Sequence, residues 1–90
     1  MKKAIITVVG KNSIGIIAKV CSKLAEERID ILDISQTIVQ GYFNMMMDVD
    51  MTECKTAFGD ICDDLETIGL EIGCQVKCQL EDIFDKMHRI

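Results

Sequence analysis

Ala4-Ile5-Ile6-Thr7-Val8-Val9 is a run of apolar and β-branched residues that Gly10 closes. Such an uninterrupted run reads as a strand buried on both faces, and therefore as a central strand of a sheet. Lys11-Asn12-Ser13 after it is turn chemistry, and Asn12 or Ser13 is suited to cap a helix. From Ile14 to about Arg28 the apolar residues Ile14, Ile17, Val20, Cys21 and Leu24 fall at helical spacing. Ile31 to Gln40 is rich in β-branched residues and bounded by Asp30 and Gly41. Gln40-Gly41 fits a tight turn, because glycine accepts the positive φ that such turns need. Beyond it Phe43, Met45, Met47, Val49 and Met51 alternate with Asn44, Asp48 and Asp50, so the two segments form a hairpin with one wet face. A second helix is predicted from about Lys55 to Ile68, burying Phe58, Ile61, Leu65 and Ile68, with Gly69 ending it. Leu70, Ile72, Cys74, Val76, Cys78 and Leu80 then alternate as a last strand. The stretch 81–90, with Ile83, Phe84, Met87 and Ile90, reads as a short amphipathic C-terminal helix.

The order is therefore β-α-β-β-α-β. With right-handed crossovers it gives a four-stranded antiparallel sheet, strand order 4-1-3-2, with two helices on one face. This is the ferredoxin-like sandwich of the α+β class. It puts the first strand in the middle and the second at an edge. The 90 residues make one domain, 1–90, since two cores would not fit. Apolar residues at 49% and charged residues at 28% describe a globular chain, and the lack of proline leaves no sign of a linker.

Charge is unevenly spread. Residues 1–47 hold six basic and four acidic groups and residues 48–90 hold four and eleven, so +2 and −7 sum to the net −5. An acidic chain with scattered Lys and Arg and few aromatic residues is a poor match for a phosphate backbone, so direct nucleic-acid binding is not expected. No apolar run approaches the ~20 residues of a membrane span. Cys21, Cys54, Cys62, Cys74 and Cys78 are odd in number, and Met1-Lys2-Lys3 leads straight into a strand without secretory features. Reduced thiols and a cytoplasmic location are the expectation.

The fold hosts many chemistries, so function has to come from the sites. Acyl-phosphate hydrolysis on this fold needs an arginine fork in the first strand–helix loop, where Lys11 stands alone. Metal chaperones of this shape carry Cys-x-x-Cys there, and RNA readers carry aromatics where Ile6, Val8, Met45 and Met47 stand. Cys74 and Cys78, four apart on one strand, are about 13 Å from each other, too far for a disulfide or one metal, and read as core. Cys21 and Cys62 sit on apolar helix faces. Cys54, just before the second helix, is the one thiol that a helix dipole could activate. His88 has no neighbouring acid or nucleophile. Met46 points opposite to Met45 and Met47, so the triplet is gap-filling rather than soft-metal ligation. Asp60, Asp63, Asp64 and Glu66 form a solvated helix face. No catalytic set, metal site or cofactor site is expected.

What the first loop offers is free backbone N–H groups around Ser13, Ile14, Gly15 and Ile16, which with the helix dipole suit a carboxylate. Gly15 lets a ligand approach the backbone. Val9-Gly10-Lys11-Asn12-Ser13-Ile14-Gly15-Ile16-Ile17-Ala18 resembles the opening signature of ACT domains, small regulatory modules that bind amino acids. Leu24-Ala25-Glu26 and Asp30-Ile31-Leu32-Asp33-Ile34-Ser35-Gln36-Thr37 resemble the end of their first helix and their second strand, and the pattern continues through Tyr42-Phe43-Asn44-Met45. The ending Glu81-Asp82-Ile83-Phe84-Asp85-Lys86-Met87-His88-Arg89-Ile90 is similar to that of stand-alone ACT proteins of about ninety residues, akin to the regulators of the glycine-cleavage repressor type.

The resemblance implies a pocket between the first loop of one subunit and the second strand of its neighbour. Asn12 would hydrogen-bond the ligand, Ser13 to Ile16 would offer backbone donors, and Asp30, with Ile31 and Asp33, would face in from the partner. Asp30 stands where the family usually has asparagine, and its carboxylate suits a ligand ammonium. Ser35, Gln36 and Thr37 would pair with their twins across a two-fold axis. The function implied is a non-enzymatic sensor of a small molecule, an amino acid, working as a homodimer through a protein partner. A ligand-free dimerisation module and, remotely, an acylphosphatase-like enzyme are the competing readings.

Overall fold

The computed structural model describes residues 2–11 and 14–81. Its elements are β1 (Lys3–Lys11), α1 (Ile14–Glu26), β2 (Asp30–Val39), β3 (Tyr42–Asp50), α2 (Phe58–Ile72) and β4 (Cys74–Leu80). The four strands form one antiparallel sheet in the order β2-β3-β1-β4, the expected order counted from the other edge. β1 pairs with β3 from Lys3↔Asp50 to Lys11↔Tyr42, and with β4 from Ala4↔Leu80 to Gly10↔Cys74. The predicted tail lies outside the described residues, apart from Glu81.

One face of the sheet carries the helices. Ala4, Ile6 and Val8 of β1, Phe43 to Val49 at alternate positions of β3, and Cys74 and Val76 of β4 are buried against Ile16, Val20 and Leu24 of α1 and Ile61 and Leu65 of α2. Each large side chain so buried contributes about 1.5–3 kcal/mol. The other face is only partly covered. Ile5 is buried there but Val9 is 42% exposed, so β1 is central by its pairing and not buried on both faces along its length. The apolar run marked the strand's place in the sheet correctly and overstated its burial.

Turns follow local chemistry. Gln40 and Gly41 have φ of 52° and 82°, the two successive positive values of a type I′ hairpin. α1 ends in a Schellman motif, in which the Ile29 N–H reaches Leu24 O at 2.9 Å and the Arg28 N–H reaches Ala25 O at 3.1 Å. Leu24 and Ile29, the apolar pair that accompanies such a motif, are both buried. Arg28 takes the left-handed position, φ 59°, that glycine occupies more cheaply.

The second helix departs from the sequence reading. It starts at Phe58 and runs four residues past the expected end, to Ile72, where Gly73 at φ 80° is the left-handed terminator. Gly69 is inside the helix and buried. A Cβ on it would lie 2.7 Å from Val76 Cγ2 and 2.8 Å from the Cys74 carbonyl oxygen, so its missing side chain is what lets α2 lie directly on β4. Leu70 and Ile72 therefore belong to the helix, and Leu70, expected to point inward from a strand, is 78% exposed.

The two helices are also joined by charge. Lys23 Nζ donates to Glu27 Oε1 at 3.1 Å and to Asp64 Oδ2 at 2.9 Å. Thr56 Oγ1 donates to the other Glu27 oxygen. Hydrogen bonds to Asp64 first and Glu27 second raise the Lys23 pKa above its usual 10.5, and the Thr56 hydroxyl, then Lys23, hold Glu27 below 4.5.

Two substitutions should run against simple propensity. Gly69→Ala, favourable by up to ~1 kcal/mol in an open helix, should destabilise by about 1–3 kcal/mol because a backbone carbonyl blocks the methyl. Arg28→Gly should stabilise by about 0.5–1 kcal/mol. Urea unfolding followed by circular dichroism measures both.

Candidate functional site

The first strand leads into the first helix over the start of β4. At Gly10 a Cβ would meet Cys74 Sγ at 2.7 Å and Cys74 Cα at 3.0 Å, so only glycine allows the two strands this close. The Cys74 thiol donates to the Lys11 carbonyl at 3.9 Å, tying the end of β1 in place. Asn12 and Ser13 lie outside the described residues. α1 begins at Ile14, and the first amides of any α-helix lack an intrahelical partner. No acidic side chain stands in its first turn to neutralise them. A methyl added at Gly15 would meet nothing within 4 Å, so the first turn has open space at that position. The Ile16 side chain is buried in the core, which leaves only its backbone to offer a ligand.

The other candidates lie at the far end of the sheet. Asp30 pairs with Asp50, which faces Lys3, whereas the loop follows Lys11, which faces Tyr42. Eight strand steps separate those ends, about 27 Å. A single chain therefore does not bring Asp30, Ile31 and Asp33 to the loop. A bulge at Leu32, between Ile31 and Asp33, fixes the faces. Ile31, Ile34 and Ile38 lie opposite Val49, Met47 and Phe43 on the helix-bearing side, while Asp30 and Asp33 lie opposite Asp50 and Asp48 on the uncovered side. Asp33 Oδ1 accepts the Ile34 N–H at 2.9 Å.

All ten residues of β2 are exposed, including Ser35, Gln36 and Thr37. Among the described residues no helix packs over this edge. Ile34 at 45% and Ile38 at 61% exposure form an uncovered apolar border along it. On the helix-free face a shallow depression of about 250 Å³ is lined by Thr7, Val9, Ser35, Thr37, Asn44 and Met46, among others.

One residue of this region was not singled out from sequence. Asp48 was assigned correctly to the wet face, yet its Oδ1 is enclosed and has no hydrogen-bond partner. It sits directly opposite Asp33, and the next pair along the same face is Asp30↔Asp50. Cross-strand like charges repel. Asp50 is held below its usual 3.8 by hydrogen bonds from Thr52, with Lys3 adding attraction.

The remaining sequence candidates are placed as follows. Met45 and Met47 are buried and Met46 is exposed, as the alternation required. Cys54 does not abut a helix N-terminus, because α2 begins only at Phe58. Its thiol packs against the core and donates to the Thr56 carbonyl at 3.6 Å. His88 lies outside the described residues. Among the described residues no three Cys, Asp, Glu or His side chains converge on a metal-sized site, and no helix is long and apolar enough to cross a membrane.

Against known proteins, the profile of the ACT domain matches residues 2–79. The chain belongs to the ACT domain family. A UPF0237 protein of Bifidobacterium longum is 54% identical to this ACT domain over 90 residues, all of both chains. The solved ACT domain protein from Streptococcus pneumoniae superposes with a TM-score of 0.80 at 40% identity, covering 93% of this chain and 94% of the other. The regulatory subunit of aspartate kinase from Thermus thermophilus superposes at a TM-score of 0.65 and 28% identity, over 88% of this chain and 51% of that one. The ACT domain is a regulatory ligand-binding fold.

The acidic row of this ACT domain gives a stability test. Asp48→Asn removes a repulsion and replaces a carboxylate with one enclosed, unpartnered oxygen by a neutral amide, and should stabilise by about 0.5–1 kcal/mol. Ser35→Ala on the same face serves as the control in the same denaturant titration.

Proposed function

We propose that this ACT domain is a non-enzymatic sensor of an amino acid, bound between two copies of the chain, whose occupancy is passed to a protein partner. The observation that carries the reading is the complementarity of two features: a helix start with no acidic side chain in its first turn and open space at Gly15, and a β2 strand exposed along its whole length. An antiparallel β2–β2 pairing centred on Ser35, Gln36 and Thr37 sets Asp30 and Ile31 of one protomer beside the partner's hairpin turn. That turn is at the same end of the sheet as the first loop, because Lys11 pairs with Tyr42. The pairing also covers the apolar border of Ile34 and Ile38 and merges two sheets into eight strands.

An α-amino acid carries both charges that such a site receives. Its carboxylate fits the α1 amides, from Ser13 to Ile16, and the Asn12 side chain. Its ammonium fits the Asp30 carboxylate contributed across the interface. Ile31, on the helix-bearing side, supplies an apolar wall, and Asp33 holds the start of β2 through the Ile34 N–H. The chemistry offered here is recognition: charge pairing and backbone hydrogen bonds. A cytoplasmic setting accords with five cysteines that are all free thiols. The ligand-free reading is favoured by one feature, the exposed Leu70 on the acidic face of α2, which would suit a protein partner directly.

A thermal-shift screen of the proteinogenic amino acids decides between them. At a hundred times its dissociation constant a ligand specific for the folded state stabilises by about 2.7 kcal/mol, which raises the Tm by roughly 10 °C or more for a domain of this size. Asn12→Ala and Asp30→Ala should each reduce that shift. Absence of a shift with every amino acid, alongside a stoichiometric protein complex that amino acids leave unchanged, would favour the ligand-free module.

The assembly has its own test. Light scattering should give about 20 kDa, twice the 10.1 kDa chain. Gln36→Pro, at a position whose N–H points away from β3, removes an edge donor and should shift it toward monomer, and a wild-type monomer would remove the shared pocket.

A further inference from the structure

α2 and β4 bring two thiols together. Cys62, on the first half of α2, donates its thiol hydrogen to the Cys78 carbonyl at 3.5 Å, and the two thiol groups also interact with each other. Cys78 is packed against the core, and both residues are half-buried and reduced. The proximity is built into the fold. Gly69 pins α2 on β4 at Cys74 and Val76. Seven residues back along the helix is about 10.5 Å, and about three residues forward along the strand is about 10 Å. The helix and the strand thus stay alongside one another from the Gly69 contact to Cys62 and Cys78.

We propose that Cys62 and Cys78 are a redox-responsive pair that closes to a disulfide and staples α2 to β4. The oxidant is a low-molecular-weight disulfide. The Cys62 thiolate attacks one sulfur of it, forming a mixed disulfide and expelling one small thiolate. The Cys78 thiol loses its proton and attacks the Cys62 sulfur, and the second small thiolate leaves. Two protein thiols are oxidised, one small disulfide is reduced to two thiols, and the two protons end on those products.

Burial raises both thiols. Cys62 is lifted by desolvation against a favourable contact with Cys78, and Cys78 is lifted further, by desolvation first and by Cys62 second. Thiols with little thiolate react slowly at neutral pH. For the same reason the reduced pair gains no stabilisation from ionisation, so the disulfide, once made, is hard to reduce. This is a slow staple rather than a rapid relay. It lies on β4, at the opposite edge of the sheet from β2, so β2–β2 pairing leaves it accessible.

The test is incubation of the reduced full chain with oxidised glutathione from pH 7 to 9, followed by intact-mass measurement and non-reducing peptide mapping. The expected product is about 2 Da lighter than the reduced chain, links the Cys62 and Cys78 peptides, and forms about tenfold faster per pH unit. It should melt about 5–15 °C higher until a dithiol reverses it. Cys62→Ser and Cys78→Ala should each abolish it, and Cys54→Ser should leave it unchanged. Peptide mapping of the wild type stands even where a variant fails to fold. Only glutathione adducts, a cross-link between other cysteines, or a 2 Da loss that survives in Cys62→Ser would overturn the assignment.

Discussion

The structure depends on β1 being paired along both sides. Its ladders to β3 and β4 set the rows Met47–Ile6–Cys78 and Met45–Val8–Val76 across the sheet, and those rows are the floor on which both helices rest. Because β1 is central, its C-terminal end delivers the chain to the start of α1 at the middle of one end of the sheet, with the β2–β3 turn beside it. The two edges are left with different duties. β2 is bare and apolar along its border, and β4 is clasped by α2.

Two glycines make that clasp. Gly10 lets β1 close on Cys74 from one side, and Gly69 lets α2 close on Cys74 and Val76 from above. Each removes a Cβ that would hold the elements apart, and together they fix β4 against both its strand neighbour and its helix. The position of Cys78 opposite Cys62 follows from this.

Much of the fold was legible because its signals are periodic. Alternation in β3 and β4, the 3.6-residue spacing in α1, and Gln40-Gly41 each fixed an element by local chemistry, and crossover handedness then ordered the strands. The end of α2 was not legible. Leu70 and Ile72 continue the parity of Cys74 and Val76, so the strand pattern runs back into the helix, and two glycines competed as terminators. Which one ends the helix depends on how near β4 lies, a tertiary fact. The burial of Val9 likewise depends on what covers the outer face. In the candidate site the loop and the start of β2 were readable as motifs. The enclosed Asp48 was not, because its opposition to Asp33 is set by the Leu32 bulge, which shifts the register by one and turns every later side chain of β2 to the other face.

That row of carboxylates gives the chain an unusual response to its solvent. Asp30, Asp33, Asp48 and Asp50 repel one another across the hairpin, whereas Lys23, Glu27 and Asp64 attract across the helices. Mobile ions screen both over roughly 8 Å at physiological ionic strength. Added salt thus tightens the sheet edge as it loosens the helical layer. The two layers trade stability with ionic strength, and the exposed β2 strand sits in the layer that gains.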